Sequence, residues 1–145
     1  MNIIEYQASY QKQLLMTVAL AQIGAGYAQP CLTADLYDIP KYYNEKNGKF
    51  WIALDDNDTI LATLGFIPGD DPAEAVLARF FVKYDCKRQG IGKQMLAFAE
   101  NYIFSKGFQQ IRAPLSKRYA PYHAFYIKQG YVYDRPLSVI KKRPE

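Results

Sequence analysis

The sequence predicts an α/β (α+β) domain with one mixed central β-sheet and helices on both faces, in the order β-α-α-β-β-β-α-β-α-β-β. Three observations predict it. A chain of 145 residues suits one domain, spanning residues 1–145, and is long enough to bury a core. Apolar runs of strand length are interleaved with segments whose apolar residues recur at helical spacing. Two neighbouring runs are joined by a tight polar turn, whereas later strands are separated by helices, so hairpin and crossover connections belong to the same sheet.

Ile3 and Ile4 open the chain with a short strand, and Ser9 is placed to cap a helix carrying Leu14, Leu15, Val18 and Ala19 on one face. Gly24, Gly26 and Pro30 end it. Thr33 is placed to cap a second short helix through Leu36 and Ile39 that Pro40 bends or breaks. After the Asn47-Gly48 turn, residues 50–54 and 60–67 flank Asp55-Asp56-Asn57-Asp58 as an antiparallel hairpin. Residues 75–82 are apolar except for Arg79, a pattern suited to the buried middle of a sheet. From Gly90 the period changes: Ile91, Met95, Phe98 (or Ala99) and Tyr102 mark a helix that Gly107 stops. Residues 108–115 form a strand. Pro121 suits the first turn of a helix through Phe125 and Tyr126, closed by Gly130, and residues 131–133 and 137–140 are two final short strands.

Composition narrows the function. Half the residues are hydrophobic and 22% are charged, which excludes a disordered or collagenous chain. The formal net charge of +4 suits an anionic ligand but is too weak to imply nucleic acid. Cys31 and Cys86 make no disulfide framework, no Cys/His spacing resembles a zinc site, and His123 is the only histidine. Residues 14–28 are too short and too polar to span a bilayer, and residues 1–13 lack the basic start of a secretory signal. A soluble, cytoplasmic protein without a metal, and with neither nucleic acid nor membrane as partner, is therefore expected.

The informative segment is Val82-Lys83-Tyr84-Asp85-Cys86-Lys87-Arg88-Gln89-Gly90-Ile91-Gly92-Lys93, a strand end, a short basic loop and two glycines before an amphipathic helix. A helix N-terminus has unpaired N–H groups and partial positive charge, so it attracts phosphate. A Walker loop is excluded because Gln94 follows Lys93 and Lys87 stands at the first glycine's place. A dinucleotide fingerprint is excluded because Met95 stands at the third glycine's place. The alternative is a surface loop whose glycines merely turn the chain.

This segment resembles the acetyl-CoA loop of the GNAT N-acetyltransferase superfamily, (Gln/Arg)-x-x-Gly-x-(Gly/Ala), with Lys87 in place of Gln or Arg. A second block, Ala124-Phe125-Tyr126-Ile127-Lys128-Gln129-Gly130-Tyr131, resembles the family's Ala-x-x-Phe-Tyr-x-x-x-Gly-Phe element, and the two stand in the family's order. The resemblance implies a GNAT-like fold in which two parallel strands, here 75–82 and 108–115, splay around the pantetheine arm of acetyl-CoA. Phe80, Phe81 and Val82 would supply backbone contacts to that arm. Lys87, Arg88, Gln89, Gly90, Ile91 and Gly92, with Lys93 adding charge, would wrap the pyrophosphate. Lys117, Arg118 or Lys128 is a candidate for the ribose phosphate, a solvated basic patch being the alternative.

The implied activity is transfer of acetyl from acetyl-CoA directly to an amine of a small-molecule or peptide acceptor. Tyr126 matches the family's general-acid tyrosine, and a phenol with a pKa of about 10 can protonate a departing thiolate. Packing is its alternative role in a chain with 13 tyrosines. The positions where many relatives carry a glutamate correspond to Val76 and the Ala113-Pro114 region; Glu74, on the same strand face as Val76, is the candidate base, with a base acting through ordered water, or no dedicated base, as the alternatives. Tyr119 stands where the family has an asparagine. Asp35, Asp38, Asp70 and Asp71 could draw a cationic amine, although solvated loops explain them as well, and Cys86 is expected to be an incidental thiol. A GNAT-fold module that binds acyl-CoA without turnover is the rival class, a small nucleic-acid binder a third. The acceptor's identity and a homodimer are left open by the sequence.

Overall fold

A computed structural model describes residues 1–86, 89–116 and 120–145. Its elements are β1 (Asn2–Glu5), α1 (Gln11–Gly24), α2 (Ile39–Tyr42), β2 (Lys49–Leu54), β3 (Ile60–Pro68), β4 (Glu74–Val82), α3 (Ile91–Ser105), β5 (Gln110–Pro114), α4 (Ala120–Lys128), β6 (Val132–Arg135) and β7 (Ser138–Lys142). Their order is the expected one. Among the described residues the strands form one seven-stranded sheet, β1-β2-β3-β4-β5-β7-β6, in which β4 and β5 run parallel and the other neighbours antiparallel.

The sheet divides the core in two because side chains alternate along each strand. Phe50, Ile52 and Leu54 of β2 face α1 and α2, where Leu14, Val18, Leu36, Ile39 and Tyr43 meet them. Trp51 and Ala53, the intervening residues, face the other layer with Leu64, Phe66 and Leu77 against Ile91, Met95, Leu96, Ala99 and Ile103 of α3. Burying each large side chain is worth roughly 1.5–3 kcal/mol. Both sheet faces are thus covered by helices.

Two expected caps differ. Ser9 lies inside a 3₁₀ turn, Ala8–Tyr10, and α1 starts at Gln11 without a side-chain cap. Thr33 precedes a separate 3₁₀ turn, Ala34–Tyr37, and its hydroxyl donates to Asp35 Oδ1 (2.6 Å) rather than capping backbone. Pro40 does not break a helix; it sits in the first turn of α2, where its missing N–H costs nothing.

One irregularity shapes the centre of the sheet. Thr63 pairs with Phe81 but Gly65 pairs with Ala78, so Arg79 and Phe80 together oppose Leu64 in a β-bulge. Arg79 takes φ +56°, a left-handed conformation that costs an L-residue about 1–2 kcal/mol. The Thr63 hydroxyl donates to the Arg79 carbonyl (2.8 Å), tying the bulge to β3.

Candidate active site

β4 and β5 pair over only three rungs, Glu74 with Gln110, Ala75 with Ile111 and Val76 with Arg112. Past Val76 they part. The bulge bends β4, while β5 stays on β7 as far as Pro114↔Ser138, and Leu115 N–H donates to Leu137 O (2.9 Å). Among the described residues, the edge of β4 facing β5 therefore has no strand partner beyond Val76. An extended chain carrying amide groups can pair there.

A cavity of about 150 Å³ opens in this gap. Residues 77–81 of β4 form one wall, Pro114, Leu115 and Ser116 the other, and Tyr122 and Tyr126 of α4 close it with Tyr27. Two of the expected backbone contacts, Phe80 and Phe81, lie on it directly. Val82 is buried at the strand end, in the α3 and α4 layer of the core.

Tyr126 is only 6% exposed. Its ring packs edge-on to Phe80, Phe125 and Tyr131, with centroids 6.2, 5.7 and 5.2 Å away. Its hydroxyl makes no hydrogen bond among the described residues, which for a buried O–H leaves a cost of roughly 1–3 kcal/mol outstanding. Burial, with a smaller contribution from Tyr122, pushes its pKa well above the usual phenol value. Tyr126 is thus a protonated donor at the cavity wall.

At the far end, Gly90 is the N-cap of α3 with φ +77°, where a side chain would be strained. The amides of the helix's first turn have no intrahelical acceptors. Gln89, Gly90 and Lys93 are exposed beside them, and Ile91 anchors the turn in the core. Gly92 serves packing as well as access: a Cβ there would meet Val82 Cγ2 at 3.3 Å and the Phe125 ring at 3.7 Å. Lys87, Arg88, Lys117, Arg118 and Tyr119 lie outside the described residues.

Glu74 is not brought to Tyr126. It stands at the opposite end of β4, inside the three-rung ladder, accepting from Arg112 Nε (2.8 Å) and Gln110 Nε2 (2.5 Å). The Arg112 hydrogen bond leads the causes that hold its carboxyl below the ordinary range, which makes it a poor base. Among the described residues, no carboxylate or imidazole lines the cavity. Asp35 is not free to attract an amine either. Burial opposes its ionisation, but hydrogen bonds from Arg79, Thr33 and Tyr43 and the Arg79 charge outweigh this and hold its pKa at about 2. Burial and Asp85 push the Cys86 thiol up, against a smaller opposing effect of Lys83. Among the described residues, no group of three or more His, Cys, Asp or Glu side chains is placed to hold a metal ion. No helix there is long and apolar enough to cross a membrane.

Ser116 and Tyr122 are cavity residues that the sequence did not point to. The solitary Arg79 in an apolar strand was the signal for the bulge.

Comparisons with known proteins agree with this fold. The chain is 34% identical over 77 residues to "Probable N-acetyltransferase 14" of Xenopus tropicalis, covering 53% of this chain and 37% of that protein. It spans 37–46% of the length of the curated relatives it matches. Its fold matches that of a GNAT-family acetyltransferase from Staphylococcus aureus Mu50, with TM-score 0.89, 21% identity and coverage of 97% and 98% of the two chains. It also matches the PaiA N-acetyltransferase of Thermoplasma acidophilum, solved in complex with coenzyme A, with TM-score 0.76, 19% identity and 98% coverage of each chain. The family model described as "Acetyltransferase (GNAT) family" matches residues 17–131, most of the chain including β4, α3, β5 and α4, and the chain belongs to that family.

Proposed function

We propose that the protein transfers the acetyl group of acetyl-CoA directly to the amine of a small-molecule or peptide acceptor while both are bound. The observation that carries this reading is the buried Tyr126 side chain among the residues that line the gap between β4 and β5. Acetyl-CoA supplies the activated acyl group as a thioester. The chain's own residues do three things. The free β4 edge at Phe80, Phe81 and Val82 aligns the pantetheine amides. The α3 N-terminus at Gln89, Gly90, Ile91 and Gly92, with Lys93, Lys87 and Arg88, holds the pyrophosphate. Tyr126 Oη gives its proton to the departing sulfur. The reading assigns no protein base; the acceptor's proton passes to water. A coenzyme A complex of the Thermoplasma acidophilum relative supports the cofactor assignment.

An acceptor screen with acetyl-CoA, read by free-thiol release and product mass, tests the reading. Turnover of an amine is expected, and Tyr126→Phe is expected to lower kcat by about 10²–10⁴-fold with coenzyme A affinity nearly unchanged. Near-wild-type kcat in a folded Tyr126→Phe protein, with chemistry rate-limiting, would return Tyr126 to a packing role. The cavity's lack of a carboxylate or imidazole favours a second reading, a module that binds acyl-CoA without turnover. Tight coenzyme A binding with no product from a broad amine panel would select it.

A further inference from the structure

Arg79 occupies a left-handed bulge position, where glycine sits without cost, so its side chain must account for its place there. That side chain turns away from the sheet to the segment between α1 and α2. Its Nε donates to Asp35 Oδ2 (3.0 Å) and its Nη2 to Asp35 Oδ1 (2.9 Å), a two-pronged ion pair. Nη2 also reaches the Thr33 hydroxyl, and Nη1 donates to the Cys31 carbonyl (3.3 Å). The other side of the segment is held as well. Buried Gln22 of α1 accepts from Cys31 N–H (2.7 Å) and donates to Cys31 O (3.1 Å), and the Tyr43 hydroxyl donates to Asp35 Oδ2 (2.8 Å). Tyr27, between Gln22 and this latch, lines the same cavity as Tyr126.

We propose that Arg79 is a positioning residue: by latching residues 31–35 onto the β4 bulge it fixes the segment that carries the cavity-lining Tyr27, the side chain against which the acceptor amine is aligned. Asp35 is thereby committed to the latch, and the surface left to meet the acceptor is mostly aromatic and apolar. The proposal rests on the acetyl-transfer reading for the role of that side chain.

The test uses the full chain with Asp35→Asn, Arg79→Gly and Arg79→Lys. Arg79→Gly relieves the backbone strain while removing the latch; Asp35→Asn leaves the bulge residue in place. Amide exchange across residues 27–37 is expected to rise about tenfold or more in Asp35→Asn and Arg79→Gly, with α3 unchanged. Coenzyme A affinity by calorimetry should stay within about threefold, while kcat/KM falls about tenfold or more through acceptor KM, for the best amine among tyramine, spermidine and a lysyl peptide. Arg79→Lys keeps the charge without the fork and should lie between. Unchanged exchange in both variants overturns the latch. An equal fall in coenzyme A affinity overturns the acceptor role, placing Arg79's effect on the cofactor strand. A wild-type chain that turns over no amine overturns the acetyl-transfer reading and the positioning role with it, while the exchange measurement, which needs no acceptor, still decides the latch.

Discussion

Asp35 shows how a single residue's surroundings outweigh its burial. With a folded pKa of about 2, below the ordinary value of 3.8, its contribution to stability is present above about pH 4 and is lost as pH falls towards about 2. Asp35→Asn should cost about 1–3 kcal/mol at neutral pH. It should also flatten the acid limb of stability between about pH 4 and 2, read as denaturation midpoint against pH. Tyr126 works in the opposite sense. Burial raises its folded pKa, so if it is the general acid proposed above, its ionisation should cause no fall in rate near pH 10, read from kcat against pH. The same shift makes the fold lose stability as pH climbs above the unfolded value of about 10, because unfolding then releases the buried proton. Neither environment was legible in sequence: Asp35 and Arg79 are 44 residues apart, and periodicity does not report which charges meet.

At the scale of elements, the junction of β4, α3 and α4 depends on two glycines for different reasons. Gly90 supplies a left-handed N-cap with open space beside it, and Gly92 lets α3 sit against Val82 and Phe125. Gly90→Ala should cost about 1–2 kcal/mol through backbone strain. Gly92→Val should destabilise the ligand-free protein by a further packing cost, roughly 1–3 kcal/mol. Melting temperatures with and without coenzyme A separate the two effects: a ligand-induced shift that shrinks in Gly90→Ala, beyond what the ligand-free change explains, implicates the loop in binding. The helix and its glycines were legible because spacing and turn residues are local. The close approach of Val82 and Phe125 was not, since it is made by three separate elements.

Across the whole molecule, Arg112 ties four strands together. From β5 it donates to Glu74 of β4 (2.8 Å), and its Nη1 donates to Asp134 of β6 (2.7 Å) and Ser138 of β7 (2.7 Å). This clamp holds the closed end of the β4–β5 pair, so that the gap opens only at the other end. Glu74→Gln should therefore lower stability while kcat falls far less than the about 10²–10⁴-fold that loss of a general base brings. Thermal melts and acceptor kinetics on the same protein decide between clamp and base. Ile52, fully buried in the α1 and α2 layer, provides a control remote from the gap: Ile52→Ala should cost about 2–5 kcal/mol with coenzyme A affinity retained in the folded fraction.

Element order, the hairpin of β2 and β3, the glycine-bounded helices and the two family blocks were set within short windows of chain, because strand period, helix period and turn chemistry are local properties. Tertiary structure decided the rest. It stopped the β4–β5 ladder after Val76, turned Arg79 out of the strand towards Asp35, committed Glu74 to Arg112 and brought Tyr27, Phe80 and Tyr126 to one cavity. Each of these results joins residues far apart in sequence, and the competition among charges, hydrogen bonds and packing that selects such partners is resolved only when the sheet and its two helical layers close on one another.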